Sequence, residues 1–447
     1  MSAVPPGVSA ETPDGATKSF PRVGVGATRK ATVIAFFAWM FAVYDYILFG
    51  TMLPEIAGYF GWDESTASLV STLVSIGTAV VALAVGPIVD RIGRRKGMIL
   101  TVSGTALASA ATAATPNVGY LVGVRALGGL GLSEQAVNAT YLNEIYAVTE
   151  DEKIKKHRGL IYSLVQGGWP LGVLLASAFV AIFLPLVGWR GVFLLAVFPA
   201  VVIALVRRGL KESPQFELQD RLRRLRKEGL ASEATKLANE YGVADQRSTP
   251  LVSIFRGPAL RNTLVLGFAW FVNWFGIQVF SVLGTTVLTA SKDVSFSNSL
   301  LLLIVVNAVG YVGYVFHGWA GDKFGRRNVI VFGWLASGVS FTLMLTLATG
   351  TLAVVVAYSL GMFFLVGPYA PLLFYMGECY DTQCRATGTS FLNALSQPGA
   401  IVAGVIVTSM LASGADWGQA ALLVGALGTF LSGLVMLGAR KVRTLEG

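Results

Sequence analysis

Twelve stretches rich in Leu, Val, Ile, Phe, Ala and Gly alternate with polar connections along this chain. They fall at 32–53, 67–89, 98–115, 118–140, 159–184, 189–206, 261–287, 299–321, 328–348, 351–375, 386–411 and 417–439. Each runs for roughly the 20 residues that carry a helix across the hydrocarbon core of a bilayer. The pattern predicts an all-α membrane protein of twelve transmembrane helices. Composition agrees: 54% of the 447 residues are hydrophobic and only 13% are charged, about half the charge of a soluble domain. The 51 glycines suit helices that pack closely in lipid.

The polar connections divide the twelve segments into two sets of six. Gly86-Pro87-Ile88-Val89-Asp90-Arg91-Ile92-Gly93-Arg94-Arg95 follows the second apolar run, and Gly318-Trp319-Ala320-Gly321-Asp322-Lys323-Phe324-Gly325-Arg326-Arg327 follows the eighth. A second echo places Tyr141-Leu142-Asn143-Glu144 at the end of the fourth segment and Tyr375-Met376-Gly377-Glu378 at the end of the tenth. Repetition half a chain apart implies two pseudo-symmetric six-helix bundles, the duplicated halves of a secondary transporter. The motif G-x-x-x-D-[RK]-x-G-R-R resembles the loop between helices 2 and 3 of the major facilitator superfamily, and on this basis the chain is identified as a member. The divisions expected are a disordered cytoplasmic N-terminus at 1–30, one bundle at 31–206, a cytoplasmic central loop at 207–260, the second bundle at 261–440 and a cytoplasmic tail at 441–447.

The formal charge of +9 is topological and does not point to nucleic acid. One set of loops carries Arg91, Arg94, Arg95, Lys96, Lys153, Lys155, Lys156, Arg158, Lys323, Arg326, Arg327 and Arg385, while the other carries Arg190 and Lys292. The positive-inside rule then puts both termini and the basic central loop in the cytoplasm, and no signal peptide precedes the first helix. Cys379 and Cys384 lack a nearby histidine pair, so neither zinc nor a disulfide framework is expected. Nothing calls for a cofactor or a metal.

Ionisable side chains inside apolar segments are costly and usually face an aqueous cavity. Asp45 in the first segment and Arg125 and Glu134 in the fourth are therefore the candidate proton-coupling residues. Asp45 lies among aromatics in Tyr44-Asp45-Tyr46, and Arg125 needs an anionic partner in the protein or on the solute. Arg125 and Glu134 are nine residues apart, which puts them on different helix faces. Polar groups at membrane depth add candidate solute contacts: Asn138, Gln166, Asn273, Gln278, Asn393 and Gln397, with Arg125 for an anion. Asp90, Arg94, Arg95, Asp322, Arg326 and Arg327 of the repeated loops form candidate gating networks. His317, directly before the second loop, reads as structural.

Finer resemblances follow. Arg125-x-x-x-Gly129 resembles the helix 4 motif of proton-coupled members. Glu144, Arg158, Glu378 and Arg385 look like the cytoplasmic charge-relay residues of sugar-porter-like members. Tyr44 to Gly50 and Lys211-Glu212-Ser213-Pro214-Gln215-Phe216 resemble segments of metabolite:proton symporters, and Asp45 to Pro54 also resembles aromatic-acid:proton symporters. The resemblance implies a non-enzymatic, proton-coupled carrier importing a small organic anion, a carboxylate, by alternating access. Sugar or polyol symport is the alternative. The expected setting is a monomer in the plasma (inner) membrane, with solute, protons and the bilayer as its only partners.

Overall fold

The computed structural model describes residues 19–241, 251–380 and 385–441. Helices account for nearly all of them, and an isolated bridge between Val23 and Thr149 is the sole β-pairing among the described residues. In the first half, α1 spans Val25–Phe60 and α2 spans Glu64–Ile92. α3 follows at Arg94–Ala113, and α4 is assembled from Val118–Ala126, Gly129–Leu132 and Glu134–Ala147. The long apolar stretch Ile161–Arg207 is divided at Gly188, whose φ of 66° breaks the helix, into α5 before it and α6 after it. Two short helices, α7 (Pro214–Lys227) and α8 (Ala231–Glu240), bridge the halves. The second half comprises α9 (Ala259–Val282, continued by Gly284–Lys292), α10 (Phe296–Phe324), α11 (Arg326–Thr346), α12 (Thr351–Glu378), α13 (Thr387–Ala412) and α14 (Trp417–Met436).

One boundary differs from the expectation. Residues 1–18 lie outside the described residues, but the helix starts at Val25 within the segment read as disordered. Its polar start is tied down by tertiary bonds. Val23 N–H donates to Val148 O at 2.9 Å, Glu150 N–H donates to Val23 O at 2.9 Å, and the Thr28 and Thr149 hydroxyls lie 2.8 Å apart. The central loop is largely helical, with Ser213 capping α7 through the Phe216 N–H.

The halves repeat one packing scheme. α1 lies on α5, α2 on α4 and α3 on α6; correspondingly α9 lies on α13, α10 on α12 and α11 on α14. Glycine allows the closest approaches. A Cβ on Gly172 would fall 2.6 Å from Met40 O, and one on Gly129 would fall 2.3 Å from Thr78 O. Between halves, α2 packs on α13 and α5 on α10.

The two ends of this interface differ. At the end remote from the basic loops, Thr285 Oγ1 donates to Thr51 O at 2.9 Å, and the Ser68 and Thr408 hydroxyls lie 2.8 Å apart. A Cβ on Gly50 would lie 2.2 Å from Val282 O, so the backbones touch there. Towards the basic end, α4 exposes Ala136, Thr140 and Asn143, and α13 exposes Ser390, Asn393 and Ala394. Small and polar faces at this depth suit a water-filled opening, since lipid would select apolar side chains.

Candidate functional site

Two acid–base pairs are buried in the first half. Asp45 projects from the middle of α1 and is 5% exposed. Its carboxylate accepts from the Ser109 hydroxyl of α3 and faces Arg125 of α4, with Nη2 at 3.5 Å from Oδ2 and 3.0 Å from the Asp45 backbone oxygen. The Arg125 guanidinium also lies over the rings of Phe49 and Phe193. The side-chain ion contact is long for a charge-assisted hydrogen bond. Arg125 is thus held mainly by the carbonyl and the aromatic faces.

The second pair has a different character. Glu134 and Arg207 are fully buried and joined by two hydrogen bonds, one of them 2.9 Å from Nη1 to Oε2. Thr101 Oγ1 donates to Glu134 at 2.6 Å, and Arg207 reaches Met98 O at 2.8 Å and Asn138 Oδ1 at 3.1 Å. Asn138 in turn donates to Ala35 O at 3.2 Å. This hub fastens α1, α3, α4 and α6 together. Glu134 and Arg125 have separate partners, as their spacing implied, and Asn138 is spent within the bundle. Sequence reasoning missed Arg207: an arginine in a Val-Arg-Arg-Gly run at a helix end looks like ordinary loop charge.

The repeated loops form the same construction twice. Arg94 bridges Asp90 at 3.0 Å and Glu144 at 3.2 Å; Arg326 bridges Asp322 at 3.0 Å and also pairs with Glu378. The second arginine of each motif instead caps the end of the sixth helix of its half, Arg95 donating to Arg208 O and Arg327 to Leu437 O. The tyrosine echo has the same use, with Tyr141 donating to Lys211 O and Tyr375 to Arg440 O. In the first half Glu212 adds a cap, accepting from the backbone N–H groups of Arg94 and Arg95 at the start of α3. Burial raises its carboxyl pKa, opposed by those N–H donors. Each of these contacts joins residues of one half to each other or to the chain that immediately follows its sixth helix. The side chains of Arg158 and Arg385 lie outside the described residues, as does Cys384; Cys379 is buried.

Between the halves lies an aromatic cluster. Trp169 of α5 meets Trp274 of α9 edge-on with centroids 5.9 Å apart, and Trp39, Tyr46, Trp270 and Tyr369 extend the group. Trp169 donates to Ser281 Oγ at 3.2 Å. Gln166 accepts from Gln135 at 3.0 Å and bonds Tyr162. Asn273 accepts from the Tyr369 hydroxyl at 2.6 Å and donates to Ser432 Oγ at 3.2 Å. The indole N–H groups of Trp270 and Trp274, the Gln278 carbonyl and both polar atoms of Gln397 are buried without a partner among the described residues. Asn393 stands exposed on α13. His317, near the basic-loop end of α10, is buried with Nδ1 2.8 Å from Gly313 O and Nε2 without a partner among the described residues.

These features describe a multi-pass membrane protein with two six-helix halves around a polar and aromatic centre. The sequence profile of the Major Facilitator Superfamily matches residues 35–316, and the chain belongs to that superfamily. It is 28% identical to the 4-hydroxybenzoate transporter of Pseudomonas aeruginosa over 88% of this chain and 89% of that one. It is 25% identical to the niacin transporter of Acinetobacter baylyi (83% and 85% covered) and 25% identical to the gallate transporter of Pseudomonas putida (86% and 85% covered). The inward-open xylose transporter of E. coli superposes with a TM-score of 0.70 at 18% identity, covering 94% of this chain and 97% of that one. This last likeness concerns the fold.

Proposed function

We propose that the protein is a proton-coupled symporter importing an aromatic monocarboxylate by alternating access. The observation that carries this reading is the buried Asp45–Arg125 pair, an ionisable couple at membrane depth with a loose side-chain contact. A carboxylate in such a place is a proton carrier, since its charge is costly there unless Arg125 offsets it. The relatives named for 4-hydroxybenzoate, niacin and gallate supply the aromatic class.

The central cluster suits such a solute. Aromatic walls bury the ring, while the unpartnered indole N–H groups of Trp270 and Trp274 and the Gln397 amide are donors for a carboxylate. None of these side chains is charged, so a bound monoanion keeps its charge until a proton accompanies it. Asp45 supplies that proton site. Protonation releases Arg125 from its counter-charge, and the accompanying solute anion restores neutrality, which ties the two movements together. The arginine networks at Arg94 and Arg326 keep each half rigid while the halves rock about the α5–α10 and α2–α13 contacts. The asymmetry of basic loops supports a cytoplasmic position for both termini, and in this reading the protein acts as a monomer in the inner membrane.

The test is reconstitution into liposomes enclosing a pH-sensitive dye, with protein-free liposomes as the control for passive acid entry. Saturable internal acidification by 4-hydroxybenzoate, nicotinate or gallate, abolished in Asp45→Asn, is the expected result. Saturable xylose uptake with no response to any aromatic acid overturns the carboxylate assignment.

A further inference from the structure

The proton reading leaves open how Asp45 meets water. Two faces of α1 are relevant. Trp39, Tyr46 and Gly50 point towards α5 and the second half, where Trp39 and Tyr46 pack on Trp169 and Gly50 touches α9. Ala38, Ala42 and Asp45, spaced i, i+4, i+7, share another face. This face borders a cavity of about 20 Å³ inside the first half. Thr105 of α3 and Gly131 of α4 complete it, and α6 closes it with Ala196, Ala200 and Ile203.

The cavity has the size to hold a water, and a few polar groups interrupt its mainly apolar lining. A buried water needs roughly 10–15 Å³ of accessible space and two to four polar partners. Asp45 supplies one. Tyr44 also lines the cavity, is 1% exposed, and its hydroxyl has no partner among the described residues. The Thr105 hydroxyl spends its hydrogen on Thr101 O at 2.8 Å and retains acceptor capacity. Gly131 keeps that oxygen uncovered, because a Cβ there would stand 2.9 Å from it. An orphaned buried tyrosine hydroxyl beside a carboxylate and a void is the pattern left by a bound water.

We propose that this cavity is a proton-exchange site. A water held by Tyr44, Asp45 and Thr105 passes protons to and from a carboxylate oxygen of Asp45, on the face of α1 turned away from the aromatic solute site. The solute can therefore occupy the centre while Asp45 exchanges its proton from the side. The charged group facing Asp45 is Arg125 on α4, and Tyr44 and Tyr46 flank it on α1. From α3 it receives the Ser109 hydroxyl, and the α3 and α6 walls of the cavity contain no ionisable side chain. The proposal rests on Asp45 being the coupling residue.

Three variants test it: Tyr44→Phe and Thr105→Val each remove a partner of the water, and Ala200→Leu fills the void. Net proton-coupled uptake of a transported aromatic acid is compared with exchange of labelled against unlabelled acid at equal pH, which cycles the loaded carrier without net proton release. Net uptake is expected to fall about fivefold or more, the rate equivalent of losing one ordinary hydrogen bond, with exchange within about twofold of the unmodified protein. Both rates unchanged, both falling in step, or exchange alone falling overturns the proposal. Asp45→Asn separates the two readings. If it leaves proton movement intact, the coupling assignment fails whatever the cavity variants do; if it abolishes proton movement while all three variants behave as the unmodified protein, only the cavity fails.

Discussion

Gly50→Ala puts a methyl group where the two halves touch. The added carbon would lie 2.2 Å from the Val282 carbonyl oxygen and 3.1 Å from its carbon. Both obstacles are backbone, so no side-chain rotation relieves the clash, and α1 and α9 must separate by about 1 Å to reach ordinary contact distance. Overpacking of this kind costs roughly 1–3 kcal/mol. The contact belongs to the arrangement in which the end remote from the basic loops is closed, so the cost falls on that arrangement alone. At 1.4 kcal/mol per decade, a cost of about 2 kcal/mol shifts the equilibrium roughly 30-fold towards the alternative state. Thr285 loses its hold on Thr51 in the same movement. Spin labels at Glu64, the first residue of α2, and Ser413, directly after α13, both exposed at that end, report the separation. Gly50→Ala is expected to move their distance distribution to longer values and to slow uptake. An unshifted distribution with normal uptake refutes the reasoning. So does a lower melting temperature with unshifted distances, because the strain would then oppose folding and not the closed state.

Glu134→Gln leaves Arg207 buried with no counter-charge and should cost about 3–5 kcal/mol, seen as a sharp fall in melting temperature in detergent. The double substitution Glu134→Leu, Arg207→Met should recover most of it, and an additive loss would count against the pairing. Arg94→Lys cannot hold Asp90 and Glu144 together from a single ammonium, so uptake should drop about tenfold, the weight of one charge-assisted bond; unchanged uptake would remove Arg94 from the bracing network. Asp63 caps α2, accepting from Thr66 N–H at 2.8 Å, and the Thr66 bonds hold its carboxyl below the usual carboxylate range. A lowered folded value means that the stabilisation is complete above the ordinary pKa of about 4 and fades as pH falls through the lower folded value. Thermal melts between pH 3 and 6 should show Asp63→Asn losing part of the acid-side slope, and identical slopes would contradict the cap.

The sequence alone settled much of the architecture, because each transmembrane helix is specified locally. A bilayer offers no partner for backbone polar groups, so any apolar run of sufficient length must be helical. The twelve segments, the duplication and the Asp90 and Asp322 loops were legible for that reason. Asp45 and Arg125 stood out because charge is rare at membrane depth. The α1 start was not legible, since Gly-Ala-Thr-Arg-Lys-Ala has no apolar run and its order comes from Val148, Thr149 and Glu150, more than a hundred residues away.

Partnership was decided only in three dimensions. Nothing in the linear order of Arg207, Glu134, Thr101 and Asn138 joins them; the packing of α3, α4 and α6 does. Asn138 and Gln166 both read as polar groups free to meet a solute, yet Asn138 is consumed by Arg207 while Gln166 sits in the central amide–tyrosine cluster. The cavity beside Asp45 is likewise absent from the sequence, because it is the space that four helices fail to fill. Apolar length determines that a segment crosses the membrane and is a one-dimensional property. Which polar groups satisfy one another, and which are left for a water or a solute, depends on distances that only the packed bundle sets.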